Sequence, residues 1–449
     1  MTFQTVLVAN RGEIALRVIE ACRELRIRSI AVYSEADEPM PYLKLADGAV
    51  CIGPAEAARS YLNPAAIISV AELVEADAIH PGYGFLAENP DFVEICDEHG
   101  IRFIGPSRIA MRIVGDKVAA RECVAAAGVP VLPGGPAPKK PEDAAAMAEE
   151  IGYPVLVKSV YGGGGRGLRW VESPSDLTAA LGAAEAEAKA ASGEGLLYLE
   201  KAVRDPRHVE VQILGDERGR TITLGERDCS IQRRHQKLIE ESPAPNLPDD
   251  VRERLRRAAL ATAHAVGYWS AGTVEFLVAP DGAFYFIEMN ARIQVEHSVT
   301  EVACRLNLIK EQIRIAAGGS VSLDLEAAAP RGHAIECRLN AEDPARGFLP
   351  STGVVHIDEL PGGHGIRLDT ALYDGMTVSP HYDSLLAKLI AWGEDRDEAI
   401  VRMQGALRRF RISGVETTRD LALRIVSHPA FRDADLSTSF LDRNGLLGP

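Results

Sequence analysis

Residues 272–301 read GTVEFLVAPDGAFYFIEMNARIQVEHSVTE, and the way this stretch folds decides what the rest of the chain is built around. Two apolar runs flank Asp281-Gly282, a dipeptide suited to a type I′ hairpin turn. Folding about that pair sets 276 opposite 287 and Glu275 opposite Glu288, so two carboxylates lie about 5 Å apart on neighbouring strands. From Glu288 onward the polar residues fall on every second position: Glu288, Asn290, Arg292, Gln294, Glu296. Side chains of an extended chain alternate faces, so a continuing strand presents two acids, two amides and an arginine to one side. Facing carboxylates repel unless a cation lies between them. Carboxylate and amide oxygens suit a hard ion such as Mg²⁺, which keeps waters and substrate phosphates as its other ligands. A half-exposed strand with its polar side in water is the plainer alternative. It is disfavoured because Asn, Asp and Glu are poor strand residues and because the run follows FYFI, which reads as buried on both faces. A pairing of Arg292 with Glu288 or Glu296 would neutralise one acid but not both.

The chain has 449 residues, 46% of them apolar, enough to bury a sizeable core in about two to four subdomains. Net charge is −15 with no basic tract, which argues against nucleic-acid binding. No apolar run approaches the roughly 20 residues of a membrane helix, and Met1-Thr2-Phe3 leads straight into a strand, so neither membrane insertion nor a signal peptide is expected. Seven scattered cysteines, never in Cys-x-x-Cys spacing, read as reduced thiols of a cytoplasmic protein.

Residues 5–114 alternate strands and helices, the pattern of a mostly parallel sheet. Val6-Leu7-Val8-Ala9 is a buried strand and residues 12–25 have helical spacing. A dinucleotide site would place Gly-x-Gly-x-x-Gly after the first strand, but the chain has Ala9-Asn10-Arg11-Gly12-Glu13 there. His80-Pro81-Gly82-Tyr83-Gly84-Phe85 is a glycine-rich turn at a strand end, where open α/β sheets place ligands; a purely structural turn fits equally well. Residues 129–141, rich in Pro and Gly, read as a linker. Residues 155–171 read as strand, glycine loop, strand. No Gly-Lys-Ser/Thr opens a helix, so this is not a Walker loop. Four consecutive glycines beside Lys158 and Arg166 favour a mobile flap over phosphate rather than an idle hairpin tip. Ser173-Pro174 starts a helix. The strand LLYLEKAV (196–203) either offers backbone groups to a base edge or is ordinary core. Residues 224–241 gather Arg227, Arg233, Arg234, His235 and Lys237. A charge run is usually a solvated face, but one this close to the acids is suited to phosphate or bicarbonate. From about residue 321 the chain enters another unit. There Glu336, Arg338 and Asn340 share one strand face, Tyr382-Asp383-Ser384 precedes an amphipathic segment, and 396–411 is helical.

Taken together these motifs resemble biotin carboxylase, an ATP-grasp enzyme. The resemblance rests on Glu275, Glu288-x-Asn290, Arg292-Ile293-Gln294-Val295-Glu296-His297, Gly115-Asp116-Lys117, the glycine flap, Arg207-His208-Val209-Glu210, Gln232-Arg233-Arg234-His235-Gln236-Lys237, Glu336-Cys337-Arg338 and the opening Ala9-Asn10-Arg11-Gly12-Glu13-Ile14-Ala15, and it covers residues 4–445. It implies an α/β (α+β) chain with the ATP-grasp fold. A Rossmann-like N-terminal domain would span 1–115, an ATP-grasp domain 116–325 with a lid at about 131–203, and a C-terminal biotin carboxylase domain 326–449. The implied reaction phosphorylates bicarbonate with ATP to carboxyphosphate and then carboxylates the ureido nitrogen of biotin.

The resemblance also implies roles for residues. Lys117, Lys158, His208, His235 and the strand Glu200, Lys201, Ala202, Val203 would hold ATP, with Gly164 and Gly165 over its phosphates. Glu275, Glu288 and Asn290 would bind two Mg²⁺ ions, for which Mn²⁺ can substitute, and the two acids would thereby also touch ATP. Lys237, Arg292, Gln294 and the Val295 amide would hold bicarbonate, Glu296 would be the base, and Arg338 would stabilise the biotin enolate with Tyr83 nearby. Tyr161, Ala291 and Ser298 depart from the usual family residues. No Ala-Met-Lys-Met-like site is present, so biotin is expected on a separate biotin carboxyl carrier protein. Carboxyltransferase subunits and a homodimer are expected as partners, in an acetyl-CoA or other acyl-CoA carboxylase feeding fatty-acid synthesis, or in a two-subunit pyruvate carboxylase. An ATP-grasp carboxylate–amine ligase of purine synthesis would keep Glu275, Glu288 and Asn290 without needing Arg338, and a nucleotide-sensing scaffold would not turn over ATP.

Overall fold

The computed structural model describes residues 3–138, 140–159, 169–192, 195–322 and 329–447. Strands β1 (Thr5–Val8), β2 (Arg28–Tyr33), β3 (Gly48–Cys51), β4 (Ala78–His80) and β5 (Arg102–Phe103) form a parallel sheet in the order β3-β2-β1-β4-β5. All of β1 is buried, and the helix Gly12–Leu25 lays Ile14, Val18, Ile19 and Cys22 against it. The order reverses between β1 and β4, the switch point where such sheets open a crevice. The amide of Asn10 closes that crevice by donating to the carbonyls of Pro81 and Tyr83, each at 2.7 Å.

A small antiparallel sheet follows, ordered β6-β9-β7-β8, from β6 (Gly134–Pro136), β7 (Val155–Ser159), β8 (Arg169–Val171) and β9 (Leu197–Lys201). The helices Pro141–Ile151 and Pro174–Ser192 cover it. The expected strand–loop–strand flap is therefore present as β7 and β8, while its tip (160–168), with Tyr161, Gly164 and Gly165, lies outside the described residues. The Pro/Gly segment expected as a linker contributes β6.

The largest sheet is antiparallel. It contains β10 (Arg207–Gly215), β11 (Thr221–Arg233), β12 (Gln236–Ser242), β13 (Ser270–Val278), β14 (Phe284–Asn290) and β15 (His333–Asn340), in the order β14-β13-β10-β11-β12-β15, and continues into the strands Leu385–Gly393 and Ile366–Thr370. The chain after residue 321 thus extends an existing sheet, and the segment read as amphipathic is one of its buried strands. Among the described residues no helix is long and apolar enough to cross a membrane, and all seven cysteines are free.

The opening hairpin keeps its key pairing by a different route. Val278 pairs with Phe284 and Phe276 with Phe286, so the loop has three residues instead of two. The Gly282 amide donates to Ala279 O at 2.9 Å, and Gly282 sits at φ +82°. Proline at the second position of a type I turn and a left-handed glycine after it favour this longer loop. A bulge at Ile287 takes up the slip and returns Glu288 to its place opposite Glu275. The strand then ends at Asn290, and residues 291–296 are loop before the helix His297–Cys304. The alternating polar side chains beyond 290 are therefore not one strand face.

Candidate active site

Cross-strand register aligns Glu288, Glu275, Glu210 and Arg227 in one row over β14, β13, β10 and β11. Arg227 has no exposed surface and every N–H is engaged. Nε donates to Glu210 (2.5 Å), Nη1 to Gln212 and Thr300 (2.7 and 2.9 Å), and Nη2 to Thr273 and Gln294 (3.1 and 2.9 Å). Arg227 is thus an internal brace and not part of an anion cluster. The rest of that charged run forms the tip of the β11–β12 hairpin, where Arg234 and His235 both have positive φ (47° and 66°), the pattern of a two-residue I′ turn.

A second bulge re-aims Lys237. Ile231 pairs with Ile239 but Gln232 pairs with Lys237, so Leu238 is the extra residue and packs with Ile239 into the apolar core behind the sheet. Lys237 is released to the opposite face, where Nζ reaches Glu210 and Glu296 at 2.6 Å each and Glu275 at 3.1 Å. Against the cost of burial, Cys229 and these carboxylates hold the ammonium well above its ordinary value.

Glu275 accepts four donors: His208 Nε2 (2.8 Å), Lys237, Asn290 Nδ2 (2.9 Å) and Gln294 Nε2 (2.8 Å). Burial would raise its carboxyl, but Lys237 and His208 hold it well below the usual range. Burial would likewise lower the His208 imidazole, and Glu275 raises it above its ordinary value. Glu288 has no hydrogen-bond or ion-pair partner among the described residues, and burial followed by the charge of Glu275 pushes its carboxyl up. Among the described residues two groups place metal-capable atoms within 4.8 Å of one another, His208 with Glu210 and Glu275, and Glu210 with Cys229 and Glu296. Glu210 already holds Arg227 and Lys237, so the acid left for a hard cation is Glu288, beside Glu275 and Asn290. That donor set fits Mg²⁺.

Arg292 pairs with neither Glu288 nor Glu296. Its Nε donates to Glu88 (2.9 Å) and Nη2 to Asn290 Oδ1 (3.0 Å), while Glu88 also takes the Ala291 amide at 3.1 Å. Glu296 precedes the helix His297–Cys304 and accepts from Lys237 and from Arg338 Nη2 at 2.9 Å. Burial would raise this carboxyl too, yet Lys237, Arg338 and Arg227 hold it well below the usual range.

These groups line one cleft of about 1450 Å³ between the large sheet and the small one. Lys117, Lys158, Glu200, Val203, His208, His235, Lys237, Glu275, Glu288, Asn290, Arg292, Gln294, Val295, Glu296 and Arg338 all face it. Lys158 pairs with Glu200 on the lid wall. Lys201 and Ala202 do not line the cleft. The Lys201 ammonium holds the carbonyls of Gly152 and Tyr153, and both backbone amides go to Pro133 and Pro154. Tyr83 also lies outside the lining and donates to Glu13. Thr438 and Ser439, which carry no motif, reach the cleft from the C-terminal segment. Glu88, Glu240 and Lys388 were not singled out from sequence. Lys388, a lone cation in the apolar run LLAKLIAWG, was the one with a visible signal.

A nucleotide-sized cleft between an antiparallel sheet and a small lid sheet, with acids and cations converging from the large sheet, defines an ATP-grasp ligase. "Carbamoyl-phosphate synthase L chain, ATP binding domain" matches residues 116–324, "Biotin carboxylase, N-terminal domain" residues 2–111 and "Biotin carboxylase C-terminal domain" residues 336–443. The chain is 50% identical over 445 residues to biotin carboxylase 1 of Bacillus subtilis, covering 99% of each. It is 48% identical to a pyruvate carboxylase subunit of Methanothermobacter thermautotrophicus, over 98% of this chain and 90% of that one. The biotin carboxylase domain dimer of Hydrogenobacter thermophilus 2-oxoglutarate carboxylase, a complex with MgADP, ADP and bicarbonate, superposes with a TM-score of 0.94 at 46% identity over 100% of this chain and 99% of that one. The chain belongs to the biotin carboxylase family, enzymes that carboxylate biotin at the expense of ATP. ATP with Mg²⁺, and biotin as acceptor, are the cofactors of that family.

Proposed function

We propose that this cleft carries out the two steps of biotin carboxylation with the residues the sequence indicated. Lys117, Lys158, His208, His235 and Val203 hold ATP. Glu275, Glu288 and Asn290 hold its Mg²⁺, whose charge supports phosphoryl transfer when bound. Lys237, Arg292, Gln294 and the Val295 amide hold bicarbonate beside Glu296. The observation that carries this is the convergence of Lys237 and Arg338 on Glu296, at 2.6 and 2.9 Å, next to the unpaired Glu288. It also supports a way for so weak a base to act. While both cations sit on Glu296 it stays ionised and a poor acceptor; an incoming anion that draws them to itself lets the carboxylate rise toward its ordinary basicity and take the bicarbonate proton. Arg338 then faces the charge developing on biotin, and closure of the lid keeps water from the labile carboxyphosphate.

Biotin arrives on a carrier protein, with carboxyltransferase partners and a homodimeric, cytoplasmic setting. The acceptor is an acyl-CoA such as acetyl-CoA; pyruvate is the second reading, favoured by the 48% identity to a protein of pyruvate carboxylase. Phosphate release that requires bicarbonate and rises with free biotin is the expected result, and dependence on an amine would refute it. Glu288→Lys puts a cation where Mg²⁺ belongs and abolishes both activities; near-normal rates would contradict the metal assignment.

A further inference from the structure

Behind Arg338 lies a pair of buried acids with no place in the steps above. Glu240 on β12 stands directly opposite Glu336 on β15, so their Cβ atoms are about 5 Å apart on one sheet face. Neither side chain is exposed. Both oxygens of Glu336 and Oε2 of Glu240 lack a hydrogen-bond partner. Arg338, two residues beyond Glu336, folds diagonally back across the strand pair. Its Nε donates to Glu240 Oε1 at 2.6 Å, and its Nη2 lies 2.5 Å from the same oxygen and 2.9 Å from Glu296. Nη1 has no partner among the described residues, and Arg338 lines the cleft. On the far side Lys388 is in register with Arg338, fully buried and held by Val295 O at 3.0 Å and Glu13 at 3.1 Å.

We propose that Glu240, backed by Glu336, is the positioning residue for Arg338, fixing one edge of its guanidinium so that the remaining edge faces biotin in the second half-reaction. A planar fork gripped along one edge has a defined free edge, which a guanidinium attached only by its own flexible stem lacks. Two facing carboxylates cannot both be ionised in so dry a place. Burial pushes both carboxyls up, but Arg338 bonds Glu240 and holds it to about 7, whereas Glu336 lacks those bonds and goes well above the usual range, so Glu336 is the neutral member. Cross-strand register sets its oxygens on the same face as the orphaned Oε2 of Glu240. A neutral acid donating there keeps the Glu240 charge on Arg338 without adding a second negative charge that would draw the guanidinium back from the cleft.

This inference rests on Arg338 being the residue that faces biotin, so Arg338→Gln is measured alongside. With free biotin as the probe, Glu240→Gln is expected to lower kcat/KM for biotin at least tenfold more than it lowers bicarbonate-dependent ATP cleavage without biotin, since a misplacement of about 1 Å can cost about 10²-fold. Glu336→Gln, which mimics a neutral acid, is expected to cost less than about threefold. If Arg338→Gln spares the biotin-dependent rate, the assignment of Arg338 itself is wrong. If Arg338→Gln loses that rate while Glu240→Gln keeps it, or lowers both activities equally, the positioning role is refuted. A Glu336→Gln loss matching that of Glu240→Gln would refute the neutral partner. Should Glu240→Gln fail to fold, Arg338→Lys decides: it keeps the charge and removes the fork, so it is expected to match Arg338→Gln, and near-normal biotin turnover would overturn the proposal.

Discussion

On the sheet side of the cleft Arg227 is sealed from solvent with all its donors engaged, and Lys237 and Glu275 gather six polar contacts between them, whereas on the lid side the buried core is alanine, valine and leucine throughout. Directional charged bonds tolerate little displacement. Contacts between small apolar side chains are weak individually and indifferent to a few degrees of tilt. One wall is therefore a fixed template for charge, and the other is held together internally by contacts that tolerate small displacements. The enzyme needs both, because positioning phosphate and bicarbonate calls for rigidity while admitting them calls for an opening.

The contrast can be broken most forcefully at Arg227. Arg227→Met leaves Glu210 buried with Lys237 as its remaining cation and should cost about 3–5 kcal/mol in denaturant unfolding; a loss under about 1 kcal/mol would show that the brace is dispensable. Acid probes the same sheet from its back face. Burial would raise Glu241, but His333 (2.8 Å) and Arg396 (2.7 and 3.0 Å) pull it down to about 2 from 4.5. A carboxyl lowered by folding contributes stability that is complete above its unfolded value and lost as pH falls through the folded one. Between pH 4.5 and 2 the protein should thus lose on the order of 3 kcal/mol at this site. Glu241→Gln should flatten that part of the pH–stability curve, and an unchanged slope would remove the clamp from consideration. The smallest effect belongs to the lid. Leu177→Ala, in its buried core, should cost about 2–3 kcal/mol of local stability. It should speed amide exchange in β7 and β9 but not in β10 or β13, and raise KM for ATP a few-fold with kcat within about twofold. Faster exchange in both sheets would mean that the two walls unfold together.

The parts of the site legible in sequence were those carried by local pattern. Glu275 opposite Glu288 follows from an apolar hairpin, even though the turn is one residue longer than the Asp281-Gly282 pair suggests, because the Ile287 bulge cancels the difference. The polar residues from Arg292 to Glu296 were legible as a group although the strand stops at Asn290; convergence on one cleft, not strand alternation, brings them together. What could not be read depends on distant register. Glu88 reaches Arg292 across 204 residues and Arg227 reaches Gln294 across 67, and nothing local marks either partner. The bulge at Leu238 is equally hidden, since Lys237-Leu238-Ile239 reads as ordinary strand. Ser298, read from sequence as a departure from the usual family residue, donates to Asp369 at 3.0 Å.

The longer turn at 279–283 has a practical corollary. Alignment of the acidic pair is anchored downstream of the tip, by the Ile287 bulge and by the Phe286 amide bonded to Pro130 O at 2.8 Å. The tip itself answers to neither. Its exposed Asp281 is accordingly a natural place to splice a fluorophore or affinity handle into the working enzyme, on the same ribbon as the reacting centre yet mechanically insulated from it.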